Sequence, residues 1–285
     1  MSASQPLRSH SDIVSVLRAA GCVFAEDEAR LLIEQARTPG DLATMVSQRT
    51  AGLPLEHVLG WAQFCGLRVT VDPGVFVPRR RTEFLVHQAV ALAHQCNSQA
   101  GAAPAEPCIV VDLCCGSGAT GAALAAALGR IALYSVDLDP AAVRCAHRNL
   151  AAIGARVYEG DLYDPLPVTL QGRVDVLVAN APYVPTDTIE LMPAEARIHE
   201  PRIALDGGRD GLDILRRIIA AAPIWLAPSG HLLIETGQRQ ARRAAEIITH
   251  HGLIPHTSHS DELNATVIIG TKPANPGQPE PSNSP

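Results

Sequence analysis

The residues best suited to chemistry stand together at Asn180-Ala181-Pro182-Tyr183, directly after an apolar run from Val174 to Val178. Such a run predicts a buried strand, and the polar residues that follow it lie at the carboxyl end of that strand. In open α/β sheets this end is where ligands bind. A side-chain amide, a proline and an aromatic ring at this place suit a flat substrate with an N–H donor that must be held still.

A second group of residues surrounds a glycine-rich turn earlier in the chain. The run Cys108 to Leu113 predicts a buried strand, Gly116 to Gly121 follows it, and the alanine-rich stretch Ala122 to Leu128 predicts a helix. In this context the glycines let backbone N–H groups approach a ligand closely. Asp137 lies 21 positions after Gly116, at the end of the next predicted strand, where a carboxylate can accept both ribose hydroxyls. We therefore expect a cofactor that contains a nucleoside.

The charge around the turn discriminates between cofactors. Gly116-x-Gly118-x-x-Gly121 also satisfies the dinucleotide fingerprint, but a dinucleotide places an anionic pyrophosphate at this turn. Asp112, four residues before Gly116, and Glu235, at the end of a later predicted strand, suit a ligand with positive charge. The ammonium and sulfonium of S-adenosylmethionine meet that requirement, so the pattern favours this cofactor. Asp161, at a third predicted strand end, is expected to accept from the exocyclic amine of the base.

Composition restricts the possible functions. The chain has 285 residues, a net charge of −6 and seven cysteines, two of them adjacent. The negative charge supplies no global basic field for a polyanion, so nucleic acid is not expected as the direct substrate. The cysteine pattern does not indicate a disulfide framework, and no window has the length and hydropathy of a membrane span. We predict a cytoplasmic protein with no membrane partner.

Four segments are expected to position these residues. Residues 1–52 have helix-spaced apolar positions that predict three short helices, and residues 53–78 alternate β-formers around Asp72-Pro73-Gly74, which predicts a hairpin connector. Residues 79–271 alternate predicted strands and helices, with Asn97 to Pro107 as a surface loop. Residues 272–285 are proline-rich and predicted to be disordered. The fold class is therefore α/β with a small N-terminal helical domain.

Taken together, these motifs resemble the class I S-adenosylmethionine-dependent methyltransferases and, more narrowly, the peptide-chain release factor glutamine methyltransferase family. The resemblance rests on Asp112-x-x-x-Gly116-x-Gly118, Asp137, Asp161 and Asn180-x-Pro182-Tyr183, and it extends to Pro78-Arg79-x-x-Thr82-Glu83, Glu200-Pro201 and Leu205-x-Gly207. It implies a Rossmann-like, seven-stranded, mostly parallel sheet. It also implies methylation of a glutamine side-chain amide in a protein substrate, such as a release factor, with residues 1–52 recognising that substrate.

The resemblance assigns each candidate residue a role. The residues expected to bind the cofactor are Asp112, Cys114, Gly116, Gly118, Asp137, Leu138, Asp161, Leu162 and Asn180. Those expected to bind substrate are Arg79, Thr82, Glu83, Asn180, Pro182, Tyr183 and Glu200, and the catalytic set is Asn180, Ala181, Pro182 and Tyr183. The Asn180 side-chain oxygen and the Ala181 carbonyl would accept the two amide N–H groups, while Tyr183 stacks on the amide plane and Pro182 stiffens the loop.

Two departures from the family pattern separate this chain from a standard member. Ala181 replaces a proline, and Arg80-Arg81 replaces Pro-Asp. Because residue 181 contributes a backbone carbonyl, we expect activity to survive the first change. The two changes together indicate a relative or a paralogue within the family, and they leave the protein substrate open.

Other functions remain compatible with the same motif. Enzymes that methylate the exocyclic amine of adenine in DNA or RNA also use it, although they normally add a basic or aromatic-rich surface. A binding module that has lost catalysis is a further alternative. No metal is expected, because the late histidines His250, His251, His256 and His259 match no defined ligand spacing.

Overall fold

The N-terminal part of the chain is a bundle of short helices. The computed structural model describes residues 9–99 and 107–274. The three predicted helices are present as α1 His10–Ala19, α2 Ala25–Gln35 and α3 Pro39–Thr50. A one-turn helix, α4 Leu55–Leu59, follows them. Helices α1 and α3 each begin with a capping box, in which the Ser9 or Thr38 side chain accepts a hydrogen bond from the helix backbone. The bundle encloses its own apolar core, which includes Ile13, Leu17, Leu32, Val46 and Leu59.

A β-hairpin connects the bundle to the sheet, but its turn is not where the sequence placed it. Strands β1 Trp61–Phe64 and β2 Leu67–Thr70 are antiparallel, and the turn between them is Cys65-Gly66, with φ of 47° and 77°. A two-residue hairpin turn of this kind needs positive φ at both positions, which Pro73 cannot adopt. The prediction that Asp72-Pro73-Gly74 closes the hairpin is therefore wrong, and this segment forms a separate turn after β2.

The larger part of the chain is built on one seven-stranded sheet. Its strands are β3 Cys108–Leu113, β4 Ile131–Asp137, β5 Arg156–Glu159, β6 Val174–Ala179, β7 Leu226–Thr236, β8 Ile254–Ser260 and β9 Ala265–Thr271. The order across the sheet is β5-β4-β3-β6-β7-β9-β8, and only β9 runs antiparallel to its neighbours. This confirms the predicted Rossmann-like sheet. The order reverses between β3 and β6, which is the topological switch point where α/β proteins bind ligands.

Helices cover both faces of this sheet. They are α5 Glu83–Gln99, α6 Ala119–Leu128, α7 Pro140–Leu150, α8 Ala194–His199, α9 Asp213–Trp225 and α10 Ala241–His250. A separate apolar core fills each face, with Leu177 and Ile234 in one and Val176 and Leu233 in the other. Strand β6 and the Leu232–Ile234 part of β7 therefore contribute to both cores, which is why these stretches are mostly apolar.

Two sequence predictions fall partly outside the described residues. Helix α5 extends to Gln99, so the predicted loop at Asn97 begins later than expected, and residues 100–106 are not described. Of the tail predicted to be disordered, only residues 272–274 are described. Within the described ranges, no helix combines the length and apolar character needed to cross a membrane.

Candidate active site

A cleft opens at the carboxyl ends of β3, β4, β5 and β6. It lies at the switch point of the sheet, where α/β proteins bind small molecules. Seven of the nine residues predicted to bind the cofactor line it, all except Asp112 and Gly118, and Pro182 of the predicted substrate set lines it as well. The lining residues are Phe76, Cys114, Gly116, Val136, Asp137, Leu138, Asp139, Ala142, Gly160, Asp161, Leu162, Asn180, Pro182, Pro201, Ile203, Ala204, Ile214 and Arg217.

Asp137 is fixed by two backbone hydrogen bonds. The Gly116 N–H donates to its Oδ2 at 2.8 Å, and the Asp139 N–H donates to its Oδ1 at 2.9 Å. Each carboxylate oxygen keeps a further lone pair, so the group can still accept two hydroxyls from the cleft. Burial raises the pKa of this carboxyl, and the two backbone donors oppose that rise. The geometry is that of a rigid hydroxyl-binding group.

Asp112 lies beneath the glycine turn rather than on the cleft surface. Asp112 is only 2% exposed, and its Oδ2 accepts a hydrogen bond from the Gly121 N–H at 3.1 Å. Burial and the nearby Asp137 raise the pKa of Asp112 to about 7, although the Gly121 donor opposes this shift. A carboxyl in this position holds the turn in place. It does not present a full negative charge to the cleft at neutral pH.

The conformation of the turn explains why glycine is needed at Gly118. This residue caps α6 with φ of 78°, and a Cβ added to it would meet the Leu150 side chain at 3.0 Å. Gly118 is not among the residues that line the cleft. Both Asp112 and Gly118 therefore support the turn from below, whereas Gly116 faces the cleft itself.

The remaining wall of the cofactor side comes from the ends of β3 and β5. Cys114 and Leu162 have positive φ, 56° and 49°, which turns the chain sharply at each strand end. Burial raises the pKa of the Cys114 thiol well above its usual value, so this thiol stays neutral. Asp161 lines the cleft as predicted, but it also pairs with Arg217 at 2.7 Å. No sequence pattern indicated Arg217, because its helix is more than fifty residues away.

Thr82 orients the side-chain amide of Asn180. Its Nδ2 donates to the Thr82 Oγ1 at 3.1 Å, which leaves the Asn180 Oδ1 without a partner among the described residues. The Ala181 side chain is buried, and its main-chain carbonyl accepts no hydrogen bond from the described part of the chain. The Asn180 Oδ1 and the carbonyl oxygen of the next residue, Ala181, are therefore unengaged within the described part of the chain, and Asn180 lines the cleft.

Tyr183 is held by Glu235, which the sequence had assigned to the cofactor. The Tyr183 hydroxyl donates to the Glu235 Oε1 at 3.0 Å, and the Arg81 Nε donates to the same oxygen at 3.1 Å. Ala179 pairs with Ile234, so the next residues along β6 and β7, Asn180 and Glu235, are neighbours. The prediction that Glu235 faces the cofactor is therefore wrong, because β7 lies one strand beyond those that line the cleft.

Three residues predicted to bind substrate, Arg79, Glu83 and Glu200, make contacts within the protein. The Glu200 Oε2 accepts the Arg79 Nη2 at 2.6 Å, and its Oε1 accepts the Val77 N–H at 3.1 Å. The Glu83 Oε1 accepts the Cys65 N–H of the hairpin turn at 2.9 Å. None of Arg79, Glu83 and Glu200 is among the lining residues. The Glu200 contacts instead fix the segment that carries Pro201, Ile203 and Ala204 onto the cleft wall.

The chain after Tyr183 is supported by tight backbone packing. A Cβ on Gly207 would lie 2.7 Å from the Pro182 carbonyl oxygen, so only glycine fits there. The Val184 N–H donates to the Leu205 carbonyl at 3.0 Å, and the Gln240 Nε2 donates to the Tyr183 carbonyl at 2.9 Å. The Leu205-x-Gly207 motif therefore fixes the loop that follows Asn180 to Tyr183.

Asn149 is a supporting residue that no sequence pattern indicated. Its Oδ1 accepts the Thr70 N–H at 3.0 Å, while its Nδ2 donates to the carbonyls of Thr70 and Ser117, each at 2.8 Å. One side chain thus joins the hairpin, helix α7 and the glycine turn. The hairpin is therefore part of the framework of the cofactor side.

Known proteins are similar to this chain in sequence or in fold. Residues 102–211 match the family "Methyltransferase small domain". The release factor glutamine methyltransferase of Geobacter sulfurreducens is 36% identical over 81% of this chain and 78% of its own length. A 4-amino-L-phenylalanine/4-methylamino-L-phenylalanine methyltransferase of Streptomyces pristinaespiralis is 34% identical over 84% and 85%. A Pyrococcus furiosus methyltransferase structure has a TM-score of 0.51 and 14% identity, covers 73% of this chain and 90% of its own, and shows the shared fold. The chain therefore belongs to the release factor glutamine methyltransferase family.

Proposed function

We propose that this protein transfers a methyl group from S-adenosylmethionine to the side-chain amide nitrogen of a glutamine in a peptide-chain release factor. The observation that carries the proposal is the pair of unengaged acceptors, the Asn180 Oδ1 and the Ala181 carbonyl, beside a cleft with a fixed carboxylate. A primary amide has two N–H groups, which these two acceptors match. The proteins named release factor glutamine methyltransferase support the same assignment.

The residues of the cleft fit S-adenosylmethionine. Asp137 can accept the two ribose hydroxyls, Gly116 gives close access to the backbone, and Leu138 and Leu162 supply apolar surface for a flat base. Asp161 is placed at the same wall, where it can accept from an exocyclic amine. When bound, the cofactor supplies an electrophilic methyl group on a positively charged sulfur.

The Asn180 Oδ1 and the Ala181 carbonyl, together called the amide clamp, would act on the conformation of the substrate amide. The nitrogen lone pair of an amide is delocalised into its carbonyl, which makes it a poor nucleophile. Acceptance of both N–H groups by Asn180 and Ala181 fixes the nitrogen and favours its pyramidalisation, so that the lone pair points at the methyl carbon. Alignment is the main contribution expected here, because the sulfur becomes neutral as the methyl moves and no oxyanion develops. Thr82 keeps the Asn180 Oδ1, rather than its Nδ2, directed at the substrate.

The transfer itself needs no dedicated base. One nitrogen–carbon bond forms as one sulfur–carbon bond breaks, and the amide nitrogen then loses a proton. That proton belongs to an N–H held by the Asn180 Oδ1 or by the Ala181 carbonyl, from which it can pass to water. Tyr183 would stack on the amide plane, and its hydroxyl bond to Glu235 fixes the ring for that role.

The N-terminal bundle is proposed to recognise the protein substrate. The Arg49 Nε donates to the Glu28 Oε2 at 2.7 Å within the bundle, and the Arg49 Nη1 donates to the Glu195 Oε2 of α8 at 3.2 Å. Helix α8 leads directly to Glu200 and the cleft wall. A protein docked on the bundle would therefore lie against the segment that borders the clamp. A cytoplasmic location, where release factors act, belongs to this proposal.

The experiment that tests this function is methyl transfer from labelled S-adenosylmethionine to candidate proteins, read by mass spectrometry of the labelled peptide. We expect the label on one glutamine of a release factor, and no label with the Asn180→Ala enzyme. Label on adenine in added DNA or RNA would overturn the proposal in favour of nucleic-acid methylation.

A second candidate is methylation of an amine on a small amino acid. The relative from Streptomyces pristinaespiralis is named for such a substrate and matches 84% of this chain. An aryl amine also presents a flat N–H₂ group to the clamp. Mass spectrometry with 4-amino-L-phenylalanine as acceptor tests this candidate directly.

A further inference from the structure

Arg217 is the one cation among the described residues that line the cleft. The other charged residues of that lining are three carboxylates, Asp137, Asp139 and Asp161. S-adenosylmethionine carries positive charge on its sulfur, so an uncompensated guanidinium in its cleft would oppose binding. The Arg217 Nη2 donates to the Asp161 Oδ2 at 2.7 Å, which compensates this charge. The placement of a cation here therefore points to a local role at Asp161.

The ion pair between Arg217 and Asp161 is not what holds the fold together at this place. The two side chains are 52% and 39% exposed, and ion pairs at such positions contribute little to the free energy of unfolding. Helix α9 is instead anchored by buried aromatic rings. The Tyr163 hydroxyl donates to the Ile218 carbonyl at 2.9 Å, and the Tyr163 ring stacks on Trp225. These contacts place the Arg217 backbone near Asp161.

The ion pair leaves one carboxylate oxygen of Asp161 available. The Oδ2 is bound by Arg217, whereas the Oδ1 has no hydrogen-bond partner in the described part of the chain. Asp137 differs from Asp161, because both of its oxygens are fixed by backbone N–H groups. A partly exposed carboxylate rotates freely unless a partner holds it. Arg217 therefore gives Asp161 the fixed orientation that the backbone gives Asp137.

The ion pair also bounds the cleft on this side. Asp161, Leu162 and Arg217 line both the cleft and a second, largely apolar groove next to it. Ile214, one turn before Arg217 on α9, lines the cleft as well, so this face of the helix is directed toward it. Because Leu162 is proposed to contact the base of the cofactor, the edge of that base would face the ion pair.

We propose that Arg217 is a positioning residue that makes the cofactor site specific for adenine. It holds the Asp161 Oδ2 and thereby directs the Oδ1 at the exocyclic amine of the base. This rests on the role of Asp161 in the proposed function. An amine donates to a carboxylate oxygen, whereas a keto oxygen at the same position of the base has no hydrogen to donate and is repelled. The site therefore selects a 6-aminopurine over a 6-oxopurine.

The test compares two ligands that differ only at this position of the base. S-adenosylhomocysteine carries the amine, and S-inosylhomocysteine carries a keto oxygen. Isothermal titration without a methyl acceptor gives the dissociation constant of each. The wild-type protein should bind the adenosyl compound about tenfold more tightly, as expected for a hydrogen bond to a charged group. Arg217→Met should reduce this preference to about twofold, chiefly by weakening the binding of the adenosyl compound.

Arg216→Met is the matched control on the same helix. Arg216 pairs with Asp210 and Asp213, and it is not among the residues that line the cleft. This variant should keep the wild-type preference. A general loosening of α9 in Arg217→Met would weaken the binding of both compounds by the same factor. That result would overturn the proposal, and so would an unchanged preference.

A double variant separates failure of the positioning role from failure of the role of Asp161. Asp161→Ala should abolish the preference, and Arg217→Met added to it should have no further effect. If Asp161→Ala kept the preference, the proposed contact of Asp161 with the base would be wrong. If only Asp161→Ala removed it, Asp161 would recognise the base without Arg217. Because no methyl acceptor is present, these outcomes do not depend on which substrate nitrogen is methylated.

Discussion

The two halves of the active site are held together in different ways. On the cofactor side, carboxylates bind backbone N–H groups that are close in sequence: Asp137 binds Asp139 two residues away and Gly116 twenty-one residues away. On the substrate side, side chains bind side chains across much longer separations. Thr82 and Asn180 are 98 residues apart, and Arg81 and Glu235 are 154 apart.

This difference determines which side of the active site can change its side chains. Backbone donors are present whatever the side chain, so the cofactor side depends on few residue identities. The substrate side depends on pairs of side chains, and a change in one partner changes the orientation of the other. A new substrate can therefore be accommodated by changes around Arg80 and Arg81 without disturbing the glycine turn. The predictions below test this division.

The largest effect is expected from Asn180→Ala, which removes one of the two acceptors of the clamp. Loss of a positioned acceptor of this kind should lower kcat by roughly a thousandfold. The dissociation constant for S-adenosylmethionine, measured by isothermal titration, should change little. A large loss of cofactor affinity would show that the two halves are not separate.

Asp112 should make the stability of the cofactor side depend on pH. Its pKa is 3.8 as a free side chain and about 7 in the folded protein, so the folded state binds more protons between these values. The free energy of unfolding should therefore fall as pH rises through this window, by roughly 2 to 3 kcal/mol between about pH 5 and about pH 8. Urea unfolding of Asp112→Asn, which keeps an oxygen for the Gly121 N–H, should show a smaller dependence. An unchanged pH profile would contradict this account of the turn.

Asp137→Ala should weaken the cofactor side alone. It removes the acceptor of the Gly116 N–H and the proposed acceptor of the ribose hydroxyls, and charged hydrogen bonds of this kind predict a roughly thirtyfold higher dissociation constant. At saturating cofactor, kcat should stay near the wild-type value. Asp261→Ala, at a fully exposed position between β8 and β9, is the control for loss of one acidic charge. An equal effect in both variants would argue against a specific role for Asp137.

Tyr183→Phe should give the smallest effect, because the ring remains and only its bond to Glu235 is lost. We expect kcat/KM to fall by about tenfold, as for the loss of one hydrogen bond to a charged group. Tyr134→Phe, which removes a hydroxyl bonded to Arg156 on the sheet surface, should leave kcat/KM unchanged. If Tyr183→Phe had full activity, orientation of the ring by Glu235 would be unimportant.

Local patterns determined the architecture and the cofactor side. Strand β3 has the predicted bounds, and the glycine turn, Asp137 and Asp161 lie where strand ends and spacing placed them. Such features are readable because each depends on residues within one strand–turn–helix unit. Even there, the sequence could not show that Asp112 is buried under the turn. Burial depends on how α6 packs against β3 and β4.

The tertiary structure alone decided the substrate side. Sequence placed Glu235 with the cofactor, Arg79 and Glu200 with the substrate, and the hairpin turn at Pro73. In the structure Glu235 bonds Tyr183 and Arg81, Arg79 bonds Glu200, and the hairpin turns at Cys65-Gly66 rather than at Pro73. Local sequence patterns do not show which strands become neighbours in the sheet. The amide clamp could therefore be identified from Asn180 to Tyr183, but the groups that orient it could be found only once β6, β7 and the start of α5 were brought together.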